Sequence, residues 1–141
     1  MDNPNLNTET RPRLIYVAED NEIYHILLRD NLELMLRKDG VDNIKLEFFY
    51  NGESLKEKIE QGDSDLRVVL TDNIMPKVTG LSIIEELARN PRYENIKFIL
   101  HASGGEYLKE DAINKGAFDC VLKPSEFEDL VNVIKEALDG K

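Results

Sequence analysis

Short apolar runs alternate along the chain with longer stretches whose apolar positions recur every three or four residues. "LIYVA", residues 14–18, predicts a first strand. Residues 21–38 carry Tyr24, Leu27, Leu28, Leu32 and Met35 at helical spacing, and Gly40 closes that helix. A second strand is expected over 46–50 and a short helix over 52–61. The β-branched run "VVLT", residues 68–71, reads as a third strand buried on both faces. A helix over 79–89 follows, with Leu81, Ile84, Leu87 and Ala88 inward and Asn90-Pro91 as its stop. Residues 98–101 form the fourth strand, and 106–115 a weaker helix with Leu108 and Ala112 inward. Residues 119–122 form the fifth strand. Ser125 is expected to cap a last helix, with Glu128 at the capping-box position and Phe127, Leu130, Val131, Ile134 and Leu138 on one face.

Strands alternating with helices imply a parallel sheet covered on both faces, and right-handed crossovers make it doubly wound. Ligands of such sheets sit outside the carboxyl ends of the strands. The 141 residues suit one domain. Residues 1–12, polar and holding two prolines, are expected to be a flexible lead-in to a domain over 13–141.

Composition narrows the function. The chain is 41% hydrophobic and 33% charged, which suits a globular protein. It has no apolar run of about 20 residues and no signal-peptide core, so it is expected to be cytoplasmic, without membrane contact. The single cysteine, Cys120, agrees with a reducing compartment and is expected to be a small buried hydrophobe. A formal charge of −10 argues against direct nucleic-acid binding and favours cations where carboxylates converge. The remaining acidic excess is expected to be solvated surface.

The strand ends supply the convergence. The first strand runs into Glu19 and Asp20, the third into Asp72, the fourth into His101, Ala102 and Ser103, and the fifth into Lys123 and Pro124. Three carboxylates so close repel one another unless a divalent cation and the ammonium intervene, and oxygen-only ligation suits Mg²⁺. Metal, ammonium and an exposed carboxylate nucleophile are also what phosphoryl transfer requires.

Three motifs now make the chain resemble the receiver domains of two-component response regulators, from about Leu14 to Leu138: "EDN" after the first strand, "DNIMPKVTG" after the third, and "GAFDCVLKP" across the fifth. The resemblance implies a flavodoxin-like sheet of order 2-1-3-4-5 with five helices. It assigns Asp72 as acceptor of phosphate from a sensor histidine kinase or phosphotransfer protein. It implies Mg²⁺ held by Asp20, Asp72 and the backbone carbonyl of Ile74, with Glu19 reaching the metal through water. Lys123 would grip the phosphoryl oxygens, the Lys123-Pro124 bond would be cis, and Gly80 would permit the turn into the third helix. A face of the fourth helix, fifth strand and fifth helix, including Cys120, would meet a downstream protein target.

Two positions depart from the family pattern. His101 stands where a threonine or serine hydroxyl is usual, and Cys120 where a switch aromatic is usual. Phosphate is expected to bind with weaker coupling to the fifth strand. As an imidazole titrating near 6.5, His101 is expected to make the lifetime of the phosphorylated form depend on pH between 6 and 8. His25, beside the apolar stripe of its helix, is expected to face solvent.

The expected function is a single-domain response regulator, acting by phosphorylation-dependent protein binding or phosphorelay, and not an enzyme beyond its own phosphotransfer and dephosphorylation. No DNA-binding segment is expected after residue 138, unless the chain is a fragment of something longer. The rivals are a phosphate-independent adaptor of receiver fold and a Mg²⁺-dependent phosphohydrolase. The latter kind resembles the haloacid dehalogenase family, which wants an aspartate two residues after the nucleophile, where this chain has Ile74.

Overall fold

A computed structural model gives the structure of the chain and describes residues 11–139. The lead-in expected over 1–12 lies outside the described residues except for Arg11, which pairs with Asp65 at 2.9 Å, and Pro12.

Among the described residues, five strands and five helices alternate: β1 (Arg13–Ala18), α1 (Glu22–Lys38), β2 (Ile44–Phe49), α2 (Gly52–Gln61), β3 (Leu66–Thr71), α3 (Gly80–Leu87), β4 (Lys97–Ser103), α4 (Glu106–Asn114), β5 (Asp119–Lys123) and α5 (Phe127–Leu138). A 3₁₀ turn, Pro91–Tyr93, follows α3. The strands form one parallel sheet of order β2-β1-β3-β4-β5.

Side chains alternate across each strand and feed two cores. Tyr16, Val69, Phe98 and Leu100 pack beneath α2, α3 and α4 with Leu55, Ile59, Ile83, Ile84 and Ala112. Ile15, Val17, Val68, Leu70 and Ile99 pack beneath α1 and α5 with Leu28, Leu32, Leu36, Leu130, Val131 and Ile134. Val68 through Thr71 are all buried, as a central strand covered on both faces requires.

Helix ends follow local chemistry. The side chains of Asn21, Asn51 and Thr79 accept from the third backbone N–H of α1, α2 and α3. Gly40, at φ 89°, stops α1: its own N–H reaches the Arg37 carbonyl at 3.0 Å, and Val41 N–H reaches that of Leu36 at 2.9 Å.

Four sequence expectations are corrected. The inward stripe of α1 is His25, Leu28, Leu32 and Leu36, whereas Leu27 is 42% exposed. His25 therefore does not face solvent: it is 1% exposed, with its ring 3.8 Å from that of Tyr50 and parallel to within 4°. A flat, half-polar ring fits where the helix start meets the end of β2, so it heads the apolar stripe. Ser125 does not cap α5 either. Glu126 is the cap, in a reciprocal box with Asp129, because the helix begins one residue later and leaves the Ser125 hydroxyl for another partner. In α3 the buried set includes Ile83, with Leu81 and Ala88 only partly buried.

A candidate phosphoacceptor site at the sheet edge

Parallel strands end on one edge, so whatever follows each strand becomes neighbour to the rest. The loop from β1 to α1 is only Glu19, Asp20 and Asn21, and Asn21 is already the helix cap. Such a loop has little freedom, and it brings both acidic residues to the edge beside Asp72. One carboxylate oxygen from each of Glu19, Asp20 and Asp72 lies within 4.8 Å of the others.

The Lys123 ammonium completes the cluster, donating to Glu19 Oε1 at 3.1 Å and lying 3.4 Å from Asp72 Oδ1. Glu19 is the buried member: its other oxygen accepts from Asn21 N–H at 3.1 Å, so both oxygens are engaged. Asp20 is exposed and Asp72 half-buried. This gradient suits a bound nucleophile beside an open approach.

The electrostatics follow from crowding. Burial, then the Glu19 charge, raises the Asp72 pKa against the pull of Lys123. Desolvation and the Asp72 charge raise that of Asp20. For Lys123, burial pulls the ammonium down, but the charges and hydrogen bonds of Asp72 and Glu19 more than reverse it. Three carboxylates against one ammonium leave two negative charges, which a divalent cation on oxygen ligands would balance. The residues fit Mg²⁺.

Asp72 is held by a frame that motif reading passed over. Asn73 N–H donates to Asp72 Oδ1 at 2.8 Å, and the Asn73 side chain accepts from Leu81 N–H at 3.0 Å, tying the loop to α3. Gly80 serves a different need from the turn expected of it. The positive φ in this loop, 72°, belongs to Lys77. At Gly80 a Cβ would collide with the Asp72 carbonyl oxygen, so only glycine allows that approach. His25 also contributes here. Its Nδ1 lies 2.9 Å from the Glu19 carbonyl oxygen, which can only accept, so that nitrogen carries the proton.

The two atypical positions diverge in the structure. His101 is 1% exposed and faces α1 and α5, with Nε2 3.0 Å from Ser125 Oγ and 3.5 Å from the Tyr24 hydroxyl. Burial first, and the Lys123 charge second, lower its pKa from 6.5 to about 3. The expected titration near 6.5 is therefore corrected, since burial and the nearby ammonium both disfavour the imidazolium. Cys120 is buried in the opposite core, beneath α2–α4, as a small hydrophobe whose thiol pKa burial raises to about 11. It is 2% exposed, so it offers no contact to a partner on that face. Tyr24 and Ser125 were read from sequence as a core position and a cap. Both line a cleft of about 450 Å³ beside Lys123, with Glu19, Asn21, Ser103 and Pro124. The signal that marked them was proximity: Tyr24 is on the first turn after Asp20, and Ser125 follows Lys123-Pro124. That Lys123-Pro124 peptide is cis, as the resemblance implied.

Among the described residues, no helix is long and apolar enough to cross a membrane.

The phosphate regulon transcriptional regulatory protein PhoB of Rhizobium meliloti is 28% identical over 125 residues, covering 88% of this chain and 51% of the relative. The chemotaxis protein CheV1 of Helicobacter pylori is 26% identical over 111 residues, covering 77% of this chain and 34% of CheV1. The chain thus spans about half or less of the length of these curated relatives. Among solved structures, the signal receiver domain of a DNA-binding response regulator from Colwellia psychrerythraea superposes with a TM-score of 0.75 at 23% identity, covering 89% of this chain and 98% of that one. The response regulator TrrA of Thermotoga maritima, in complex with Mg²⁺ and BeF, gives 0.70 at 23% identity, with the same coverage. Those two likenesses show the fold. The model of the response regulator receiver domain matches residues 15–135, most of the chain, and on that match the chain belongs to the receiver domain family of two-component systems.

Proposed function

We propose that Asp72 accepts a phosphoryl group from the phosphohistidine of a sensor kinase or phosphotransfer protein, and that the phosphorylated chain signals by binding a downstream protein or by passing the phosphate on. The observation that carries this is the Lys123 ammonium, 3.1 Å from Glu19 and 3.4 Å from Asp72, inside a triad of carboxylates on the ligand edge.

An Asp72 oxygen attacks phosphorus in line; the O–P bond forms as the donor's N–P bond breaks, and the electron pair stays with the donor nitrogen, which takes up a proton. Lys123 neutralises charge on the transferred oxygens. Asp20, Asp72 and the Ile74 carbonyl would hold Mg²⁺, which supplies the remaining charge neutralisation when bound. Glu19, with both oxygens already engaged, supports the role of orienting Lys123 and reaching the metal only through water. Asn73 N–H orients the Asp72 carboxylate through Oδ1, the oxygen that also faces Lys123.

Incubation with Mg²⁺ and acetyl phosphate, followed by intact mass, tests the reading. One phosphoryl group should be added, and Asp72→Asn should abolish the gain. Equal labelling of the substituted protein would sink the assignment.

A further inference from the structure

We propose that Tyr24, His101 and Ser125 read the phosphorylation state of Asp72, and that the signal leaves toward the start of α5 and the first turn of α1 instead of through β5 and α4. This deepens the phosphoacceptor reading and rests on it.

The ring of Tyr24 is where three contacts meet. The Lys123 ammonium lies over it at 4.8 Å from the centroid, so the lysine is shared between the carboxylates and this π-face. The hydroxyl of the same ring lies 3.5 Å from His101 Nε2, and that same nitrogen lies 3.0 Å from Ser125 Oγ, so His101 joins Tyr24 to Ser125. The ring also stacks on Phe127, the first residue of α5, with centroids 6.4 Å apart and planes within 18°.

A phosphoryl group on Asp72 replaces one carboxylate charge with a more strongly charged set of oxygens. The ammonium follows the stronger charge, and Tyr24 loses its cation. A ring that moves alters the tie between its hydroxyl and His101 Nε2, the nitrogen that also meets Ser125, and Ser125 immediately precedes the cap of α5. His101 suits this because it is held neutral. Neutral imidazole keeps one N–H and one lone pair, and can exchange partners without changing charge.

The alternative route is broken by geometry. His101 pairs in register with Val121, its ring turns to the α1 and α5 side, and Cys120 lies in the core on the other side of the sheet. A thiol there presents no ring to follow a movement at His101.

The test uses the full chain with Mg²⁺ and beryllium fluoride, a mimic of the phosphoryl group, with bound fluoride followed by ¹⁹F NMR and backbone opening by hydrogen exchange. Binding should change exchange at residues 21–25 and 124–129 by roughly threefold or more, with residues 117–122 unmoved. Tyr24→Phe keeps the π-face but lacks the hydroxyl. It should still bind beryllofluoride and still respond at 21–25, but lose the response at 124–129, as should Ser125→Ala. Bound fluoride with the response confined to α4 and β5 overturns the relay alone, as does a full response at 124–129 in Tyr24→Phe. No bound fluoride in the wild-type chain removes the phosphoacceptor reading and the relay with it.

Discussion

Replacing His101 by threonine should change how stability depends on pH, and the structure sets both sign and size. In the unfolded chain this imidazole titrates near 6.5; in the folded protein burial and the Lys123 charge lower it to about 3. A depressed folded pKa favours the neutral form. Its stabilisation is therefore complete above the unfolded value and is lost as pH falls below 6.5 toward 3. At pH 5 the unfolded imidazole is protonated and the folded one is not. The stability lost between pH 8 and pH 5 is then about 1.5 pH units at 1.36 kcal/mol each, or about 2 kcal/mol. Asp72 and Asp20 oppose this, since their raised pKa values favour protonation in the folded state and add stability as pH falls. Wild type alone would blur the two effects. Urea unfolding of wild type and His101→Thr at pH 8, 7, 6 and 5, without metal, separates them because both proteins carry the same carboxylates. Threonine also loses packing, but that offset does not depend on pH. Relative to wild type, the variant should gain about 2 kcal/mol between pH 8 and pH 5. Parallel stability curves would refute the reasoning and mean that the imidazole accepts its proton inside the fold.

Three other outcomes are expected. Asp20→Asn should weaken Mg²⁺ binding more than Glu19→Gln in calorimetric titration, while Glu19→Gln should lower stability more, because it removes the buried partner of Lys123; the reverse order in either measurement would contradict their assigned roles. Gly80→Ala should cost about 1–3 kcal/mol in denaturant unfolding and slow phosphoryl labelling, since the new methyl group meets the Asp72 carbonyl oxygen; an unchanged midpoint would show that the loop yields freely. Tyr16→Phe should be neutral or stabilising by up to about 1 kcal/mol, because the Tyr16 hydroxyl is buried with no hydrogen-bond partner among the described residues; a clear loss of stability would reveal a partner for that hydroxyl.

The alternation of strand and helix periods was legible in the residues alone, because each periodicity is imposed by backbone geometry and needs no knowledge of neighbours. It led directly to the doubly wound parallel sheet. Glu19, Asp20, Asp72 and Lys123 were equally legible, since each follows a strand and parallel strands end on one edge. The surroundings of the histidines were not. His25 became buried because α1 rotates about its axis to present His25, Leu28, Leu32 and Leu36 inward, a choice set by the sheet beneath it. His101 met Tyr24 from 77 positions away and Ser125 from 24, and no local pattern announces such partners. The low pKa of His101 and the divergence of its ring from Cys120 follow from those contacts and from which core each side chain enters. Spacing along a chain sets which face a residue shares with its near neighbours, whereas burial, partner and charge state depend on what the folded chain carries across to meet it.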